Sequence, residues 1–570
     1  MPNLLPATYQ DFINWLWPQF EPYFQDLIDQ SLSNDIVDRW LADWSRVAKT
    51  VQEAYARLHL ATTLDTADAA AERRYHVFME QVFPPMKAAE QTLKQKLLDS
   101  GLEPAGFEIP LRNMRAEASL FREANLPLLV DDQKLGLQYN KIVGGQTVQW
   151  EGQELTLQQI RPIAQSDDRA VRERVWRLAA ARWLVDREAL NELWTQMMPR
   201  RQQIARNAGC ADYREYRWRD LLRFDYTPAD ASTFHRAIEE VVVPAATRLY
   251  QAARQRLQVD RVRPWDCDVD RDPLNFPTPK PFQTTAELAN KAGRIFQHVD
   301  PQLGEYYATL QREGLLDLEN RRGKAPGAFC TTFMIAQRPF IFANSVGVRG
   351  DVRTVLHESG HAFHDFEMTH LPYIQQMDIG MEIAEVASMS MELLAAPYLT
   401  EEFGGFYNED DAAREHAEHL ERIILFWPYM AVVDAFQHWA YTHPEGNDPA
   451  ACDAEWTELQ QRFMPGVDWD GLEAEMMTGW HRKQHIFRSP FYYVEYGLAQ
   501  LGAVQVWRNA LRDQTGAVAA YRRALALGNT RSLPELYAAA GAKFSFQADT
   551  LREAVDLIES TIQQLREAYP

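Results

Sequence analysis

Residues 354–366 read TVLHESGHAFHDF. The pattern is helical. Val355, Leu356 and Ala362 give it a buried side, and Asp351 stands where it can cap a helix beginning near Val352. On such a helix His357 and His361 are four apart, so both rings project from one face with Cβ atoms about 5–6 Å apart. That spacing lets two imidazoles share one tetrahedral metal ion. Glu358 points roughly a quarter turn away, where it reaches a water at the metal without being a ligand. The competing reading is an exposed helix with solvated His and Glu. The apolar flanks weigh against it, because unpaired charge in a buried helix is costly. His364 continues the histidine face by one turn and reads as a supporting or core residue. Gly360 costs a helix up to about 1 kcal/mol relative to Ala. Close approach by another backbone would account for it, either a strand and substrate passing over the helix or a tight helix crossing.

A third ligand is sought downstream. GMEIAEVASMSMELLAAPYL (380–399) is helical and mostly apolar, with Glu382, Glu385, Met389 and Glu392 on one face. Carboxylates in such a setting need partners, and a metal with the imidazoles that hold it would supply them. The alternative is a wet face with solvated carboxylates. Spacing alone leaves Glu382 and Glu385 both open.

Composition narrows the class. The chain has 570 residues, 46% hydrophobic and 24% charged, with 59 basic against 80 acidic residues and a formal net charge of −21. Such a surface repels phosphate backbones, and no basic stripe offsets it, so nucleic acid and anionic membranes are not expected partners. No run of about 18 apolar residues is present, and the start MPNLLPATYQ does not read as a signal peptide. Cys210, Cys267, Cys330 and Cys452 are scattered without CxxC spacing and read as reduced thiols. The expected location is the cytoplasm.

Along the chain, 28–60 and 66–100 read as long amphipathic helices and 157–206 as helix. NKIVGGQTVQWEGQELTL (140–157) reads as a small hairpin. The Pro- and Asp-rich 259–282 and RRGKAPGAFCTTF (321–333) read as loops. RPFIFANSV (338–346) reads as a strand that, because of Pro339, lies at a sheet edge or begins with its proline. After residue 350 the chain reads as helix to the end. The expected division is an N-terminal helical lobe, 1–200, and a catalytic lobe, 201–570.

VLHESGH followed by EIAEVASMSMELL resembles the thimet oligopeptidase and oligoendopeptidase F family of zinc peptidases. GAFCTTF and RPFIFANSVG resemble that family's substrate loop and edge strand. HIFRSPFYYVEYGLAQLGA (485–503) resembles its histidine–tyrosine segment. EANLPLLVDDQKLGLQYNKI (123–142) and YRRALALGNTRSLPELYAAAGAKF (521–544) resemble the oligoendopeptidase F branch with its Pz-peptidases. The resemblance implies a mainly α, two-lobed zincin-type metallopeptidase with a deep substrate channel and a small β-sheet next to the HExxH helix. It implies one Zn2+ per chain on His357, His361 and Glu385, the first residue of Glu385-Val-Ala-Ser388, with Glu392 and Glu382 behind the ligands. It further implies that Glu358 is the general base for a water activated at zinc, that His485, Tyr493 and Tyr496 stabilise the oxyanion, and that Gly327, Ala328, Phe342 and Tyr492 line the substrate. With the edge strand and a peptide passing over the metal helix, Gly360 would be explained by them.

The implied reaction is hydrolysis of internal bonds in short peptides. A zinc carboxypeptidase or dipeptidyl carboxypeptidase is the nearest alternative, and a catalytically silent peptide-binding protein is the alternative of a different class. The sequence leaves side-chain preference and oligomeric state open.

Overall fold

One carboxylate sets the start of the helix that carries His357. Asp351 accepts hydrogen bonds from the backbone N–H groups of Val346 (2.7 Å), Gly347 (2.8 Å) and Val348 (3.0 Å). The helix runs Arg349–Met368. Asp351 therefore sits inside the first turn instead of ahead of it. It satisfies N–H groups that lack helical partners and places negative charge at the positive end of the helix dipole.

The computed structural model describes residues 5–166, 168–267 and 280–569. The architecture is mainly helical, with two small sheets. The described strands are β1 (Thr147–Trp150), β2 (Gln153–Thr156), β3 (Leu316–Glu319), β4 (Phe329–Phe333) and β5 (Arg338–Ser345). Two compact units form from interleaved segments. One comprises Met1–Ala118, Pro279–Ala412 and Gly502–Phe544; the other comprises Ser119–Thr278, Ala413–Leu501 and Ser545–Pro570. The expected boundary near residue 200 does not hold. It falls inside the continuous helix Arg187–Asn207, and the contacts that define each unit join segments far apart in sequence.

The first unit holds the HExxH helix, a three-stranded sheet and an N-terminal helical layer. That layer is more broken than periodicity suggests. The first long helix begins at Val37 and runs to Leu64, and the segment 66–100 divides at Val82 into Ala69–Gln81 and Phe83–Ser100. Prolines at the start of the latter lack the N–H that would continue the preceding helix, and they suit a first turn.

The sheet order is β3-β5-β4. β5 pairs in parallel with β3 (Leu316↔Ile341) and antiparallel with β4 (Cys330↔Ile341). RPFIFANSV is thus the central strand, not an edge. Pro339 is tolerated because it stands second in the strand, opposite Thr332. The edges are β3 and β4, the latter made from residues expected in a loop. A buried glutamate fixes the turn between β4 and β5. Glu53, on the helix Val37–Leu64, accepts the backbone N–H groups of Ile335 (2.6 Å) and Ala336 (3.0 Å).

In the second unit β1 and β2 form the expected hairpin, with Trp150 opposite Gln153. Its two-residue turn, Glu151-Gly152, has positive φ at both positions (50° and 81°). That is the turn geometry that matches strand twist, and glycine adopts it without a Cβ penalty. Of the segment 259–282, residues 268–279 lie outside the described residues. Just before them Asp266 pairs with Arg169 (2.7 Å) and Arg172 (3.1 Å).

Candidate active site

Gly360 lets two helices touch. A Cβ at this position would lie 2.6 Å from the carbonyl oxygen of Ala387 and 2.6 Å from Cα of Ser388. Both belong to the helix Met381–Ala395. The close partner is that helix, so the strand-and-substrate explanation of Gly360 is replaced by a tight helix crossing. The Ala387 carbonyl is held from another side by the Tyr521 hydroxyl at 2.8 Å.

The crossing brings the two acidic and basic faces together. Candidate ligand atoms of His357, His361 and Glu385 all lie within 4.8 Å of one another. His357 Nε2 is 3.5 Å and His361 Nε2 is 3.9 Å from Glu385 Oε2. The rings are nearly perpendicular, 83° apart, with centroids separated by 5.0 Å. Glu392 lies 2.8 Å from His357 Nδ1. With the proton on Nδ1, Nε2 keeps its lone pair toward the cluster. Glu382 is buried one turn earlier and is not in this group.

The chemistry of the donor set suits a cation. Among the described residues the buried Glu385 carboxylate receives a hydrogen bond only from the Ser388 hydroxyl, at 3.0 Å, and burial pushes its pKa up. Burial opposes protonation of His357, but the Glu392 hydrogen bond and the charges of Glu392, Glu385 and Glu358 outweigh it and lift the pKa to about 9. Carboxylates draw a proton onto one histidine in the absence of another positive charge. Two nitrogens and one oxygen at this spacing are a ligand set for a divalent metal that leaves a coordination position open.

Glu358 is 7% exposed. Burial pushes its carboxyl up to about 7; the nearby His357 opposes the rise, Glu385 and Glu392 add to it, and a backbone hydrogen bond from Cys330 opposes it. The edge strand β4 therefore reaches Glu358. Asp365, one turn beyond His361, was not singled out by sequence reasoning. It accepts a hydrogen bond from the Thr332 hydroxyl and lies 3.8 Å from Cys330 Sγ, tying β4 to the metal helix. The i, i+4 spacing from His361 was its signal. His364 is a core residue. It is 2% exposed, neither ring nitrogen has a partner among the described residues, and burial lowers its pKa to about 3.

The remaining expected residues divide. Gly327 is exposed with φ +100°, and Ala328 is half-buried, both just ahead of β4. Phe342 does not line a substrate surface. It is 0% exposed, stacked on Phe329 with centroids 4.8 Å apart, because the central strand is covered on both faces. In the second unit, His485 packs with Tyr492, Tyr493 and Tyr496 at centroid distances of 5.8, 5.1 and 6.3 Å. Phe426 joins them, 5.8 Å from Tyr493. Lys483, which sequence reasoning passed over, donates to the Tyr493 oxygen at 2.7 Å.

An HExxH helix crossed by a glutamate-bearing helix, within a mainly helical fold, defines a metallopeptidase-type centre. Residues 163–556 match the profile of Peptidase family M3, and the chain belongs to that family. Oligopeptidase PepF of Bacillus subtilis (strain 168) is 24% identical over 277 residues, which cover 46% of this chain and 39% of the relative. The matched stretch thus spans well under half of that protein. Among solved structures, Pz peptidase A with an inhibitor aligns at a TM-score of 0.87 with 26% identity, covering 98% of this chain and 99% of the other. A structure assigned as an oligoendopeptidase F aligns at 0.85 with 27% identity, covering 98% of each chain.

Proposed function

We propose that this protein is a zinc-dependent oligoendopeptidase that hydrolyses internal bonds of short peptides. The observation that carries the reading is the convergence of His357, His361 and Glu385 beside the buried Glu358. His357, His361 and Glu385 would hold one Zn2+, a borderline-soft ion suited to mixed nitrogen and oxygen ligands. When bound, zinc supplies Lewis acidity, polarising a peptide carbonyl and acidifying water. Glu358 takes a proton from the attacking water and passes it to the leaving amine. Glu392 holds the His357 ring in its tautomer. His485, Tyr493 and Tyr496 donate hydrogen bonds to the oxygen that gains charge. The free edge of β4 binds the peptide backbone in extended form, which favours chains without tertiary structure. The two relatives of known structure, one a Pz peptidase and one assigned as an oligoendopeptidase F, support this substrate class.

Among the described residues no helix is long and apolar enough to cross a membrane. Cys210 and Cys452 are buried thiols. Both observations support placing the protein in the cytoplasm.

Two measurements test the proposal. A ten-residue peptide blocked at both termini is cut internally, zinc chelation stops the reaction, and an unfolded protein containing the same sequence is cut more slowly. Cleavage only of the form with a free C-terminal carboxylate favours the carboxypeptidase alternative. Metal analysis separates the two candidate glutamates. Glu385→Ala lowers zinc content far more than Glu382→Ala, because only the Glu385 oxygen lies with the two histidines. The reverse order would reject the ligand assignment.

A further inference from the structure

We propose that Lys483 is a positioning residue that strengthens Tyr493 as a hydrogen-bond donor to the reacting carbonyl oxygen. The inference rests on the role given above to Tyr493 and adds the group behind it.

Lys483 Nζ lies 2.7 Å from the Tyr493 hydroxyl oxygen, 4.3 Å from the centroid of the Tyr493 ring and 5.0 Å from that of Tyr429. Among the described residues no carboxylate pairs with Lys483. Its ammonium is held by one phenol oxygen and two aromatic faces. Burial lowers its pKa to about 8. A cation in such surroundings without a counter-anion is costly, and within a chain of net charge −21 carboxylates are plentiful. The arrangement makes sense where negative charge appears transiently. An ammonium can only donate, so it occupies a lone pair of the Tyr493 oxygen and leaves the phenol O–H to point elsewhere. As that O–H donates to an oxygen gaining charge, the phenol oxygen itself becomes more negative, and the bond from Lys483 strengthens with it. Burial alone works against this by keeping the phenol from ionising. The Tyr493 pKa is raised by burial first, then by Tyr429 and Tyr496. His485 also faces the pair, 5.1 Å from Tyr493 between ring centroids.

A double-mutant cycle tests the coupling. Lys483→Met in the wild-type background is expected to lower kcat about tenfold with little change in KM, the scale of losing a charge-assisted hydrogen bond. In the Tyr493→Phe background the same substitution should change kcat less than about twofold, since the hydroxyl it acts through is gone. Lys483→Arg, which keeps the charge, should recover part of the loss. Equal losses in both backgrounds, or no loss in either, would overturn the proposal. A second readout does not need turnover. With tyrosine labelled at 13Cζ and the Tyr493 signal assigned from Tyr493→Phe, the chemical shift of that signal at neutral pH should move in Lys483→Met, with Lys483→Arg between it and wild type. An unchanged Tyr493 signal at neutral pH rejects the pair even if the peptidase assignment stands. If wild type fails to cut peptides while the signal moves as expected, the functional assignment fails and the pair stands.

Discussion

Glu358→Gln is expected to keep zinc and fold while turnover on a blocked ten-residue peptide falls by a factor of order 10² or more, the usual scale of general acid–base catalysis. The substitution conserves shape and one oxygen acceptor. Glu358 is not among the three residues whose ligand atoms converge, so metal binding should survive. It does lie buried beside them and against the edge strand through Cys330. Gln cannot take a proton from water, so the step that makes the nucleophile loses its base while binding contacts persist. The check is metal content, circular dichroism and single-turnover kinetics on one preparation. A zinc-loaded Glu358→Gln protein with normal turnover would remove the residue from the mechanism.

Gly360→Ala is expected to be the most damaging small substitution in the centre. Helix propensity alone predicts a gain of up to about 1 kcal/mol. The new methyl, however, would lie 2.6 Å from two backbone atoms of the neighbouring helix, and a backbone cannot rotate away as a side chain can. Overpacking of this kind costs about 3 kcal/mol, the upper end of its usual range. The steric term therefore wins, and relief requires the helix Met381–Ala395 to move away, taking Glu385 with it. Denaturant unfolding should show the loss, and zinc affinity should fall in parallel although no ligand was changed. A more stable Gly360→Ala protein with unaltered zinc binding would mean that the crossing is looser than the structure has it.

These two residues mark the division between what is local and what is not. His357, Glu358 and His361 are legible in thirteen letters because helical periodicity alone puts residues four apart on one face. The hairpin at Trp150–Gln153 was legible for the same kind of reason, since a turn demanding positive φ leaves its mark in Glu151-Gly152. Periodicity could not choose between Glu382 and Glu385, which share a face. The choice depends on which turn of one helix crosses Gly360 of another. Likewise Pro339 suggested an edge, yet the unbroken apolar run Phe340–Ala343 was the better signal, because a strand buried on both faces does not alternate. Even so, strand order depends on β3 pairing with β5 from outside the hairpin. The boundary near residue 200 failed for the same reason, since each unit gathers three segments that are separated in sequence by stretches of the other unit. The sequence by itself determined the helix that carries His357, Glu358 and His361 and their relative placement on it, because hydrogen bonds within one helix orient them. Only tertiary structure decided which glutamate lies with the two histidines, which strands lie at the sheet edges, and the units, because these are set by contacts whose partners no local pattern names.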